Sequence, residues 1–237
     1  MVDPLSIGEA AKSLKLSPTR VRAMAAHGQL PAKKIGDRWL VERAAVEQRR
    51  SRGAHGGRRF TALNAWALLL LASEEEVEGI DSSVRSRLKR ALKLEGLEPL
   101  GPRLSLRADV SVFRAHPGEI AHLLKDPALM RSGISAAASL NMGLVSGREV
   151  DGYLAESSLR KLVKKHALSP ADVEGNVRLR VVPDDVWKIV GSRPVAPEAV
   201  VALDLSEESD PRSARAGRDA LRQIDRRYRA RGRARRT

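Results

Sequence analysis

The sequence predicts a mostly helical α+β protein in two parts, a small helical module with a short hairpin followed by a larger mixed α/β domain. Three observations carry that expectation. Through most of the chain, apolar residues recur at three- and four-residue spacing, as on one side of a helix. Residues 104–115 and 176–183 instead alternate apolar and polar positions, as strands do. The charge is also divided: of a formal net +14, residues 1–60 hold +8 and residues 211–237 hold +9, so the stretch between them totals −3. At 237 residues the chain is long enough for more than one buried core.

The first module can be read residue by residue. Ser6 and Glu9 have the S-x-x-E spacing of a capping box, which satisfies two orphan amides at a helix start. Ala10, Ala11 and Leu14 follow as its apolar stripe. Leu16 falls in a turn, and Ser17 with Pro18 supplies an N-cap and then proline at the first helical position. The second helix turns Val21, Met24 and Ala25 inward and Thr19, Arg20, Arg22 and Ala23 outward, and Gly28 stops it. Residues 30–35 and 38–41 flank Gly36 and Asp37 as arms of a hairpin with a two-residue turn. Lys33 and Lys34 lie on one arm, Arg38 and Trp39 on the other. Residues 42–49 close the unit as a third helix. This is the order of a winged helix-turn-helix, so the expected architecture is α+β and mostly helical, an N-terminal winged helix-turn-helix plus a mixed α/β C-terminal domain.

The succession of helix, turn, helix beginning SPTRV, then G-x-L-P-A, G-x-R-W and a further helix resembles the DNA-binding domain of the MerR and excisionase superfamily, over about 45 residues. The resemblance implies binding to double-stranded DNA, with the second helix in the major groove and the hairpin as a wing. Thr19, Arg20 and Arg22 are then the candidates for base edges, Arg20 gripping a guanine through both guanidinium nitrogens. Lys33, Lys34 and Arg38 are expected on phosphates or in the neighbouring minor groove, and Trp39 in the core as anchor of the wing. Residues 51–60 form a basic, glycine-rich linker, either a flexible spacer or an arm along the DNA. Arg58 and Arg59 at its end join the candidate contacts. A homodimer on DNA fits such a module.

Other classes are excluded on residue grounds. Without cysteine there is no disulfide, thiolate chemistry or cysteine-ligated metal sensor. The five histidines (His27, His55, His116, His122 and His166) are scattered, and His116 with His122 lacks the H-E-x-x-H arrangement of a metal site. Asp184-Asp185 reads as a helix N-terminus. Gly191-Ser192-Arg193 has the Gly-Ser start of nucleotidyltransferases, but no D-x-D follows to hold their metals. P-loop, dinucleotide and nucleophile-elbow motifs are absent. The expectation is therefore a non-enzyme without cofactor or metal. The longest apolar run, residues 65–72, is far too short to span a bilayer. With no basic stretch and apolar run at the N-terminus, the protein is expected in the cytoplasm.

Beyond the linker, residues 61–100 are expected as a helical segment. Its first helix starts near Thr61 and buries Leu63, Trp66, Ala67, Leu70 and Leu71. Glu74-Glu75-Glu76 follows as a solvated acidic loop. A second helix, capped by Ser82 or Ser83, buries Val84, Leu88 and Leu92 beneath a basic face. Residues 101–225 form the α/β domain: one strand or two in 104–115, a turn at His116-Pro117-Gly118 into a helix at 119–124, and a packed helix at 134–144. An amphipathic helix at 150–165 buries Tyr153, Leu154, Leu159 and Leu162, and a strand with one wet face occupies 176–183. Residues 199–205 are a strand or a buried helix. A last helix starts at Asp210-Pro211 and buries Ala216, Ala220, Leu221 and Ile224, and the arginine-rich tail 226–237 is expected to be disordered.

The stretches Asn176-Val177-Arg178-Leu179-Arg180-Val181-Val182, residues 195–205 and residues 210–215 are similar to the C-terminal domain of AbiEi-type antitoxins of type IV toxin–antitoxin systems. That resemblance implies a regulator that represses its own operon, with a C-terminal domain that counters a nucleotidyltransferase-like toxin. The front of the chain departs from that family, which opens with a different winged helix. An excisionase-type architectural factor and a basic protein-interaction module are the alternative readings.

Overall fold

In the computed structural model of the chain, the described residues are 4–14, 16–26, 30–36, 38–43, 45–46, 58–144, 147–171, 175–191 and 193–234. The chain divides into two compact units, Met1–Gly57 and Arg58–Thr237.

The first unit is built on a three-stranded antiparallel sheet, β1 (Leu5–Ser6), β2 (Ala32–Ile35) and β3 (Arg38–Val41), with β3 in the middle. Helices α1 (Ile7–Leu14) and α2 (Pro18–Ala26) cover one face of it. Leu5, Ala10, Ala11, Leu14, Val21, Met24, Leu30, Val41 and Val46 form the core. Arg43, Ala45 and Val46 are helical, the described part of the third helix. Gly28 and Asp37 lie outside the described residues.

The second unit runs α3 (Ala62–Ala72), α4 (Ser82–Leu94), α5 (Leu97–Leu100), a 3-10 stretch at Gly101–Arg107, β4 (Asp109–Arg114) and a 3-10 turn at Pro117–Glu119. There follow α6 (Ile120–Leu123), β5 (Met130–Arg131), α7 (Gly133–Ala137), a 3-10 turn at Ala138–Leu140, β6 (Val150–Ala155), α8 (Glu156–Lys165) and β7 (Ser169–Pro170). The chain closes with β8 (Val177–Val182), α9 (Asp184–Val190), α10 (Glu198–Ser206) and α11 (Pro211–Ala234). The sheet order is β5-β6-β8-β4-β7, with β6 and β8 parallel and the other pairs antiparallel. One core gathers Phe113, Leu123, Leu154, Leu162, Val177 and Leu179 under α6 and α8. The larger core joins α3, α4, α7, α10 and α11 to Tyr153 and Val182 of the sheet. Residues 61–100 belong to this same core, because α3 runs through it with every residue from Ala65 to Ala72 buried.

Several elements differ from the sequence expectation, each for a physical reason. Residues 101–107 are 3-10 helix rather than strand. Pro102 starts the turn, and Leu104 and Arg107, which a three-residue period places on one side, are both buried. Val150–Ala155 is a strand, not the first part of a helix. It is covered on both faces, so its apolar residues fit either period. The helix expected over 134–144 ends at Leu140, where Asn141 turns left-handed at φ +55°. The second helix of the 61–100 segment, α4, takes Asp81, not Ser82 or Ser83, as its N-cap. Residues 199–205 are helical and buried on all sides, which is why they showed no period. The tail is not disordered as far as Ala234: α11 continues through it, with Tyr228 packed on the core and Arg227 and Arg231 paired with Glu198 and Glu74. Glu75 also pairs with Arg193, so the acidic run is a clamp rather than a solvated loop.

The largest departure is on β8, whose supposed wet face is lined with carboxylates. Asp204 of α10 is fully buried; it accepts from Arg107 Nη2 at 2.7 Å, from Tyr153 Oη at 2.8 Å and from Ser132 Oγ. Arg180 grips both oxygens of Asp151 at 3.0 Å and approaches the Asp204 carboxylate at 3.5 Å. Arg178 pairs with Glu208 and reaches Asp151 at 3.5 Å, and Arg107 also holds Glu207 at 2.5 Å. Trp66 donates to the Arg107 carbonyl at 2.8 Å and meets the Tyr153 ring edge-on, 5.0 Å between centroids. Burial alone pushes the Asp204 carboxyl up, but the guanidinium groups of Arg180 and Arg107 outweigh it and hold the group ionised. Among the described residues no buried side-chain polar atom lacks a partner.

On the other side of the sheet, buried His166 sits between two carboxylates, 3.0 Å from Glu119 Oε2 and 3.0 Å from Asp126 Oδ2. Burial pushes the Asp126 carboxyl up, yet hydrogen bonds from Lys165 Nζ and the His166 ring bring it down to about 2. His116 caps the turn after it by accepting from the Gly118 amide at 3.2 Å.

Candidate nucleic-acid interface

The helix pair of the first unit is fixed by short-range chemistry. Glu9 Oε2 accepts from the Ser6 amide at 2.8 Å and from Ser6 Oγ at 2.7 Å, and Ser6 Oγ accepts in return from the Glu9 amide at 3.3 Å. The Ser6 amide, then its hydroxyl, lowers the Glu9 pKa. Ser6 also pairs with Leu40 as the last residue of β1, a two-residue strand too short for any periodicity to reveal. The turn closes through the Leu16 amide on the Ala11 carbonyl at 3.0 Å. Ser17 Oγ then accepts from the Arg20 amide at 3.3 Å and caps α2.

Packing of Val21, Met24 and Ala25 orients α2, leaving Thr19, Arg20 and Arg22 exposed and Ala23 half-buried. At about 100° per residue, Thr19 and Ala23 point most directly outward. Arg20 and Arg22 flank them on opposite sides, so the two guanidinium groups address different walls of whatever enters between them.

The hairpin register sets Ile35 opposite Arg38, which leaves a two-residue turn, and Gly36 occupies it at φ +58°, where a side chain is disfavoured. Lys34 stands opposite Trp39 and Lys33 opposite Leu40. Strand alternation therefore separates the three wing cations. Lys34 shares the face of Val41, on the side covered by the helices, whereas Lys33 and Arg38 share the outer face. All three are exposed. Trp39 is not the core anchor expected of it. It lies on Val41's face but at the turn end of β3, half-buried and outside the core cluster.

Among the described residues, Arg20, Arg22, Lys33, Lys34 and Arg38 have no ion-pair partner. The structure thus brings Thr19, Arg20, Arg22, Lys33, Lys34 and Arg38 together on one small unit. Arg58 and Arg59 belong to the other unit. The Arg58 carbonyl accepts from Arg103 Nε at 3.3 Å, the Phe60 amide donates to the Arg103 carbonyl at 2.9 Å, and the Arg103 guanidinium lies 4.6 Å over the Phe60 ring. Both arginine side chains are exposed there. Residues 51–57, the rest of the expected linker, lie outside the described residues. No cluster of three His, Cys, Asp or Glu side chains able to hold a metal ion occurs among the described residues.

Residues 4–54 match the family model described as a helix-turn-helix domain. The chain carries a helix-turn-helix domain at its N-terminus. No curated protein and no solved structure matches the chain. No helix among the described residues is long and apolar enough to cross a membrane. Sequence reasoning missed the division of the wing lysines between two faces. The signal was present in the alternation of residues 32–35, but it needed the register with β3 to be read.

Proposed function

We propose that this protein is a sequence-specific, double-stranded DNA-binding transcriptional regulator and not an enzyme. The observation that carries the reading is the helix-turn-helix unit whose second helix and wing bear exposed cations, Arg20, Arg22, Lys33, Lys34 and Arg38, without ion-pair partners among the described residues. α2 enters the major groove, Arg20 and Arg22 address base edges on either side of Thr19, and the wing cations meet phosphates. Arg58 and Arg59 add phosphate contacts from the start of the second unit. A homodimer would place two such helices on the half-sites of one operator.

The finer assignment is an autorepressing antitoxin opposite a nucleotidyltransferase-like toxin. Its support is the sequence resemblance of residues 176–182, 195–205 and 210–215. Selection of bound duplexes from a random pool, followed by titration of the winner and of Arg20→Ala, tests the main reading. A consensus sequence that Arg20→Ala relaxes at one base pair is expected. A pool that stays random after selection excludes base readout. Coexpression with an adjacent nucleotidyltransferase-like gene tests the antitoxin role: relief of growth arrest supports it, and arrest unchanged by this chain rules it out.

A further inference from the structure

Helix α11 carries nine arginines and two aspartates over Pro211–Ala234. Ser213, Ala214, Gly217, Leu221 and Ile224 are buried, and Gly217 lets α11 approach α10 so closely that a Cβ there would stand 2.3 Å from the Ser206 amide nitrogen. That packing fixes the rotation of the helix. At about 100° per residue, Arg212, Arg215, Asp219, Arg222 and Arg226 stem from the outer side of the helix. There Arg212 reaches back to the Gly143 carbonyl at 3.3 Å and Arg222 to Glu98 at 3.3 Å, while Arg215 and Arg226 have no partner in the body among the described residues. Arg227 and Arg231 lie on the flanks and are held by Glu198 and Glu74.

The outward row has four features. Its arginines span about 21 Å from Arg212 to Arg226 at 1.5 Å per residue, a length over which a duplex presents one phosphate about every 1.7 Å of its axis, both strands counted. Two acids meet the row: Asp219 lies between Arg222 at 2.5 Å and Arg215 at 4.0 Å, and Glu98 of α5 takes Arg222 at 3.3 Å, so four arginines face two carboxylates. Arg226 has no ion pair among the described residues. The row holds no large apolar side chain, as a protein interface would need at its centre, and the helix's one aromatic, Tyr228, packs on the core, so no platform exists to stack the bases of a single strand.

We infer that the outward arginine row of α11 is a second, sequence-independent surface for the phosphate backbone of duplex DNA, carried by the 58–237 unit. The inference extends the DNA-binding reading, but it stands on the geometry of a different unit from the one that holds α2.

The test is a salt-dependent anisotropy titration of the full chain against a selected duplex and a random one. Four proteins are compared: wild type, Arg215→Gln with Arg226→Gln, Arg215→Lys with Arg226→Lys, and Arg20→Ala with Arg22→Ala. Removing the two ridge charges is expected to reduce the slope of log K against log salt by roughly 2 on both duplexes alike. The ratio of specific to random affinity and the thermal melt should stay unchanged, and the lysine variant should keep the wild-type slope. The α2 variant is expected to lose the ratio and retain binding to random duplex. An unchanged slope in the glutamine variant overturns the inference while leaving the α2 reading intact. A wild type without sequence preference, whose slope still falls in the glutamine variant, removes the α2 reading and keeps the ridge. Polyglutamate of matched charge competing as well as random duplex assigns the ridge to an acidic protein instead, and also overturns the inference.

Discussion

In the 1–57 unit, five exposed cations, Arg20, Arg22, Lys33, Lys34 and Arg38, have no carboxylate partner among the described residues. In the 58–237 unit, Arg107 and Arg180 are buried among Asp204, Asp151 and Glu207, and Arg103, Arg178, Arg193, Arg222, Arg227 and Arg231 all meet acids. Arginine is frequent in both, so composition does not separate them; pairing does. Clustered like charges without partners raise the self-energy of a folded unit, and a bound polyanion relieves that repulsion. Buried arginines, conversely, are tolerated only where each guanidinium finds carboxylates and acceptors to replace water. The first arrangement is suited to meeting a ligand; the second, apart from the outward row of α11, is suited to fixing one packing of sheet against helices.

The largest effect should come from the buried network. Asp204→Asn keeps the volume and removes the charge that balances Arg107 and Arg180, and it is expected to lower stability by about 3–5 kcal/mol. Urea unfolding followed through the fluorescence of Trp66 and Trp187 measures it. Below the melting temperature of the variant, discrimination between selected and random duplex should be unaltered. A joint loss of both would erase the contrast between the units. A smaller effect comes from the clasp around Asp126. Its carboxyl titrates below the ordinary value of 3.8 in the folded state, so its contribution is complete above about pH 4. That contribution disappears as the pH falls toward about 2. The shift corresponds to about 2 kcal/mol, and Asp126→Asn should abolish that part of the acid limb in a stability-against-pH curve. A curve for Asp126→Asn that keeps the wild-type acid limb would transfer the effect to other carboxylates.

The same contrast explains what could be read in advance. Ser6 with Glu9 and Ser17 with Pro18 act through neighbours three residues away, so the caps and the helix-turn-helix order were legible in the sequence. β1 was not, since two residues carry no period and its pairing with β3 is a contact across 35 positions, Leu5 to Val41. Arg180 alternates with Leu179 and Val181 as a solvent-facing residue would; only the fold reveals Asp151 and Asp204 across from it. Tyr153 and Leu154 fitted a helix and a buried strand equally well, and the sheet decided between them. α11 escaped notice beyond Ile224 because its one later apolar contact, Tyr228, stands among arginines whose acids lie over 25 residues away in sequence, at Glu198 and Glu74.

On the unpaired side of the contrast, Arg20→Ala is expected to cost about 1–3 kcal/mol of operator affinity and to relax one base pair. It should leave the melting temperature within the range of an ordinary surface change, since the Arg20 side chain is exposed and has no ion-pair partner among the described residues. A titration with each operator position varied in turn checks it. If affinity fell equally for every sequence, Arg20 would be a phosphate contact, and base reading would pass to Arg22 on the opposite flank of Thr19.

The smallest effect separates the two wing lysines, adjacent in sequence and opposite in orientation. α2 packs its inner side against the sheet face that carries Val41 and Lys34, so a duplex seated on the outer side of α2 lies on the helix-bearing side of the hairpin. Lys34→Ala is therefore expected to flatten the salt slope by about one for all duplexes, and Lys33→Ala by less, with Arg38→Ala resembling Lys33→Ala. Equal slopes for the two lysine variants would mean that the tip of the hairpin meets DNA end-on, where the faces no longer matter. The reverse order would seat the duplex against Lys33 and Arg38 on the outer face. Under that outcome α2 could not reach the same groove, and the cationic helix and the cationic wing would serve different partners.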